Sequence, residues 1–184
     1  KKVADGLGVT DMPPAADPAS PPITDLPASD PLSILKNAPD SFAGRKLGIF
    51  ATDGADADLL NALKKEVTSA GGMTMLISPK VGGITLDGGP SVLFDAVALL
   101  ISEEGADMVK NDAPSRDFVA DAFAHCKFIG YVETAQPLME KASVWDAKDE
   151  GCVALSKTGD VPGFVKTLGK LRHWDREPMV DLDG

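Results

Sequence analysis

A chain of 184 residues, 43% of them hydrophobic, can build one domain with a buried core. No apolar run approaches the roughly 20 residues that span a bilayer, and a formal net charge of −10 opposes nucleic acid, whose phosphates need a basic face. Two cysteines make no disulfide framework, so Cys126 and Cys152 read as reduced, buried, small hydrophobes.

Residues 1–44 differ in kind from the rest. Val3-Ala4-Asp5-Gly6-Leu7-Gly8-Val9 reads as a frayed helix end, followed by Pro13, Pro14, Pro18, Pro21, Pro22, Pro27, Pro31 and Pro39. Proline at that density fixes φ and removes backbone donors, which predicts an extended linker. A folded domain is expected over 45–184. It opens on a strand at 46–51, ended by the turn signal Thr52-Asp53-Gly54. Asp56 or Asp58 then caps a helix whose Leu59, Leu60, Leu63 and Val67 recur with helical period. Gly71-Gly72 stops it before a second strand at 73–77.

Residues 82–89 read as a loop or small hairpin, and 94–101 as a third strand. Ser102-Glu103-Glu104-Gly105 is expected to be a solvated loop. Pro114 opens a helix carrying Phe118, Val119, Ala122 and Phe123. A fourth strand at 128–132, a short helix to about 142 and a fifth strand at 152–155 follow. A helix over 161–173 completes the series, with His173 at its end. Near-continuous apolar strands alternating with amphipathic helices predict a parallel sheet covered on both faces. The fold class is α/β: a flavodoxin-like, doubly wound parallel sheet in three αβα layers.

Ligands of such sheets sit beyond the carboxyl ends of the strands. Thr52-Asp53-Gly54-Ala55-Asp56 has one glycine and two carboxylates, which disfavours a nucleotide or flavin. The histidines and cysteines lack metal-ligand spacing, so no metal or other cofactor is expected in this chain. Adjacent helical residues point about 100° apart, so His125 and Cys126 make a poor dyad. His125 reads instead as a helix-end residue facing the carboxyl dipole.

The strand order, with an elbow after the fourth strand, resembles the class I glutamine amidotransferase-like superfamily, which includes PfpI-type proteases, deglycases and related chaperones. Active members carry a cysteine at the elbow. Here Tyr131-Val132-Glu133-Thr134-Ala135 puts Glu133 in that place. A residual hydrolase or deglycase activity is the alternative that this resemblance keeps open.

Two further stretches, Gly44-Arg45-Lys46-Leu47-Gly48-Ile49 and Leu171-Arg172-His173-Trp174-Asp175-Arg176-Glu177-Pro178, resemble the appended C-terminal domain of large-subunit haem catalases. With the frayed helix end and the proline-rich stretch, the resemblance covers the whole chain. It implies a parent that converts hydrogen peroxide to water and oxygen, with its haem in the preceding core and none in this segment. It also implies partners: the catalase core and neighbouring subunits of a homotetramer, with Arg172, Trp174 and Arg176 as docking candidates. A holdase role for unfolded client proteins would use an apolar patch at Ile84, Val92 and Leu93. No nucleic acid or membrane partner is expected. The N-terminal residues do not read as a signal peptide, so a cytoplasmic location is expected over secretion.

Overall fold

The computed structural model describes residues 2–79 and 84–179. It divides into two compact units, Lys1–Asn37 and Ala38–Gly184. The first holds α1 (Lys2–Gly6) and a 3-10 turn at Asp30–Leu32. Pro31 sits in the first turn there, and Asn37 Nδ2 donates to the Asp30 and Ser33 carbonyls at 2.7 and 2.9 Å. The second unit begins before the expected Arg45, because Phe42 is already buried in its core.

That unit carries β1 (Lys46–Ala51), α2 (Ala57–Ser69), β2 (Met73–Ile77), β3 (Ala96–Leu100), α3 (Glu103–Val109) and α4 (Ala113–Ala124). It continues with β4 (Ile129–Tyr131), α5 (Gln136–Lys141), β5 (Cys152–Ala154) and α6 (Val161–Leu168). All pairings are parallel and the order is β2-β1-β3-β4-β5, the doubly wound arrangement expected. Along β3 the side chains alternate between layers. Val97 and Leu99 face a core with Phe118, Val119, Leu138 and Met139, whereas Ala96, Ala98 and Leu100 face Leu59, Leu63, Phe164 and Leu168. The inner strands β1, β3 and β4 are therefore buried on both faces, which is why they read as apolar runs, whereas the edge strands β2 and β5 are only partly covered.

Three differences from the sequence reading have local causes. β3 starts at Ala96 because Phe94 ends a 3-10 turn, Ser91–Leu93, and lays its ring over Gly48 of β1; a Cβ there would lie 2.5 Å from Phe94 Cδ2. Residues 103–105, read as loop, are the start of α3: the Ser102 hydroxyl accepts the Gly105 N–H at 3.0 Å and so caps it. The last helix stops at Leu168 instead of 173. Leu171 adopts φ 68°, which turns the chain back, and the His173 N–H bonds the Cys126 carbonyl at 2.8 Å. Within the stretch read as loop or hairpin, Gly82 and Gly83 lie outside the described residues, and Ile84 makes a single parallel bridge to Ile77. Among the described residues no helix is long and apolar enough to cross a membrane.

Candidate functional site

The order reverses between β1 and β3, and a cleft of about 600 Å³ opens beyond their carboxyl ends. Asp56, Ser102, Glu103, Glu104, Glu133 and Thr134 line it. Much of this polar set is committed to backbone. Asp56 Oδ1 accepts the N–H groups of Asp58 and Leu59 at 2.8 and 3.0 Å, capping α2. The Ser102 hydroxyl donates to the Asp53 carbonyl at 2.6 Å, and the Ser102 N–H donates to Thr52 Oγ1 at 2.8 Å. Thr134 Oγ1 donates to the Ile101 carbonyl. What remains for chemistry is a rim of exposed carboxylates on Glu103, Glu104 and Glu133.

Glu133 opens a 3-10 turn, Glu133–Ala135, directly after β4. A nucleophile elbow is a sharp, strained turn. Among the described residues the non-glycine positions with positive φ are Cys126, Ser143 and Leu171, none of them at this turn. Both thiols lie elsewhere. Cys126 is buried between α4 and β4, and burial pushes its thiol above the ordinary range. Cys152 begins β5, where burial again raises the thiol although the Arg176 guanidinium opposes the shift.

His125 caps the carboxyl end of α4, exposed, with Nδ1 2.6 Å from the Asp121 carbonyl oxygen. Tyr131 is buried with its ring edge-on to Trp145 at 5.7 Å, an arrangement that suits packing. His173 packs near the Phe128 ring, with Nε2 3.6 Å from Asp149 Oδ2. Among the described residues no group of three or more His, Cys, Asp or Glu side chains is placed to hold a metal ion.

The remaining candidates separate into two places. Val92 and Leu93 are well exposed on the Ser91–Leu93 turn, and Ile84 is at the margin of exposure. Arg172 donates to the Asp95 carbonyl at 2.9 Å, and Trp174 is half-buried. Arg176 requires a correction: it is wholly buried, so it cannot present a docking surface. Its Nε and Nη2 donate to Asp149 Oδ2 and Oδ1 at 2.7 and 2.8 Å, and Nη1 donates to the Lys127 and Phe123 carbonyls at 2.9 and 3.1 Å. The guanidinium also lies 4.0 Å from the Phe123 ring centroid. Gly151 makes room for it, since a Cβ there would stand 2.5 Å from Nη2. The sequence reading missed Asp149 in this clamp; the turn signal Asp149-Glu150-Gly151 was the only local clue to it.

A family model for the C-terminal domain found in long catalases matches residues 43–178. The chain belongs to that family. It is 48% identical over 194 aligned residues to Catalase C of Rhizobium meliloti, covering 99% of this chain and 28% of that protein. It is 27% identical over 178 residues to Catalase HPII of Mycobacterium avium, covering 82% of this chain and 25% of the relative. Against Catalase HPII of Pseudomonas aeruginosa the figures are 28% over 190 residues, covering 96% and 26%. The chain thus spans about a quarter of the length of the relatives it matches.

Proposed function

We propose that this chain is the non-catalytic C-terminal domain of a haem catalase that decomposes hydrogen peroxide to water and oxygen. It packs on the catalytic core and neighbouring subunits of a homotetramer, stabilises that assembly, and acts as a holdase for unfolded proteins. The observation that carries the non-catalytic reading is the cleft itself. Glu133 stands where a nucleophilic thiol would be needed, in unstrained backbone, while burial raises both thiols at distant positions. A residual PfpI-type hydrolase is disfavoured on the same ground.

With Arg176 committed internally, docking falls to Trp174 and Arg172, residue types favoured at the centres of interfaces. Client holding falls to Val92, Leu93 and Ile84, whose exposed apolar surface would cover hydrophobic segments of an unfolded chain.

Two assays test the reading. The parent enzyme with and without residues 38–184 is heated, and residual peroxide decomposition and subunit mass are followed. Earlier inactivation and dissociation of the shortened form is expected, and equal behaviour refutes the assembly role. The 184-residue chain mixed with a thermolabile enzyme should suppress light scattering near equimolar ratio. Scattering equal to that with an inert acidic protein refutes the holdase role.

A further inference from the structure

Lys127 lies at the amino edge of the sheet, between α4 and β4, with 2% of the residue exposed. Its Nζ donates to the Ser91 carbonyl at 2.5 Å. That oxygen also accepts the Phe94 N–H at 3.1 Å, while the Leu93 N–H donates to the Pro90 carbonyl at 3.1 Å. The Ser91 hydroxyl beside it is fully buried and has no hydrogen-bond partner among the described residues. An ammonium has three N–H donors. Here it is buried, and among the described residues its acceptor is one carbonyl that it shares with a backbone amide.

The charged groups facing it come from three elements: Asp95 ahead of β3, Asp121 on α4, and Arg172 after α6. Arg172 is anchored close by through the Asp95 carbonyl, and the Asp95 carboxylate accepts the Lys46 N–H at 2.9 Å. Burial, seconded by Arg172, pulls Lys127 down to about 8 against the opposing pull of Asp95 and Asp121.

We propose that Lys127 is a proton-operated catch on the Ser91–Leu93 turn. While charged, it favours local opening of the turn, which lets the ammonium reach water; when neutral, it favours the closed turn. Opening breaks the Phe94 and Leu93 hydrogen bonds and enlarges the apolar surface around the already exposed Val92 and Leu93. The catch concerns the domain's own motion and holds whether or not those two residues touch a client.

Proton linkage fixes the direction. The closed state holds Lys127 near 8 and the open, hydrated state returns it to the ordinary lysine value of about 10.4. Opening therefore takes up a proton inside that window. It becomes rarer by up to about tenfold per pH unit as pH rises through the window, and it is level below it.

Amide hydrogen exchange of Leu93 and Phe94, measured by NMR on the 184-residue chain from pH 7 to 9.5 and divided by the intrinsic chemical rate, reads this opening. The expected profile is level to about pH 8 and falls beyond it. Lys127→Met should remove the slope and protect both amides already at pH 7. Asp121→Asn changes an exposed side chain and removes a charge that holds Lys127 up, so it should move the bend to lower pH. A pH-independent opening in the unsubstituted chain overturns the proposal, as does a slope that survives Lys127→Met. If Lys127→Met does not fold, an unshifted bend in Asp121→Asn overturns it.

Discussion

Replacing Arg176 by leucine should destabilise the domain by about 3 kcal/mol. The side chain is fully buried, and its removal leaves the Asp149 carboxylate without its guanidinium and the Lys127 carbonyl without its side-chain donor, while the Phe123 carbonyl keeps the Cys126 N–H at 2.9 Å. Breaking a buried ion pair from one side costs about 3–5 kcal/mol, because the surviving charge stays desolvated. The Asp149 side chain is 16% exposed, so water partly rescues it and the lower end applies. Asp149→Leu strands a guanidinium with no exposure at all and should approach about 5 kcal/mol. The double leucine variant removes both charges together and should cost at least about 2 kcal/mol less than the sum of the single changes. Urea unfolding followed by circular dichroism measures all three, with an unchanged denaturant slope as the check on the unfolded state. A loss below about 1 kcal/mol for Arg176→Leu, or additive single changes, would refute the clamp as the fastening of this segment.

Acid should release the same clamp. Burial alone would raise the Asp149 carboxyl, but the hydrogen bonds and charge of Arg176, the Gly151 N–H and His173 together hold it below the ordinary carboxylate range. Its contribution is complete above about pH 4, the unfolded value, and is lost as pH falls through the lower folded value; the stability gap to Asp149→Asn should close there. Gly105→Ala places a Cβ 2.2 Å from Thr52 Oγ1 and forces the Thr52–Ser102–Asp53 network apart, which should cost about 1–3 kcal/mol by thermal unfolding. Val92→Ser with Leu93→Ser alters exposed side chains and should leave stability within about 0.5 kcal/mol while removing client holding, read as light scattering. Cys126 and Cys152 should react slowly with a thiol reagent at neutral pH and rapidly once urea unfolds the chain, because burial raises both thiols.

The bounds of β1 and β2 were legible because each is a short run rich in apolar residues fenced by glycines or an Asp-Gly turn; β1 is buried on both faces, whereas β2 lies at the sheet edge and is only partly covered. α3 was hidden behind two glutamates and a glycine that look like loop. Its formation depends on Gly105 fitting against Thr52, a residue that belongs to the neighbouring strand's turn. The end of α6 was overrun for a similar reason. Leu168 and Leu171 keep the helical spacing, but a Cβ at Gly169 would stand 3.0 Å from the Asp40 carbonyl and Leu171 is turned left-handed. At the cleft, Glu133 was placed by its distance after a strand, and the structure keeps it there. Arg176 was misread because the preference of arginine for interfaces says nothing about a carboxylate 27 positions away in sequence. Lys127 gave no signal at all, since a lone lysine after a helix is ordinary on a surface and exceptional only when the fold closes over it.

The position of the clamp has a consequence for biosynthesis. Every strand of the sheet precedes residue 176, so the ribosome delivers all five before the guanidinium that neutralises Asp149. A product that stops short of that residue owns a complete sheet yet keeps a carboxylate beside β5 without its guanidinium and an unfastened flank along α4. Chains of that kind should be the ones a protease removes first, so one arginine also certifies that translation has passed the fold.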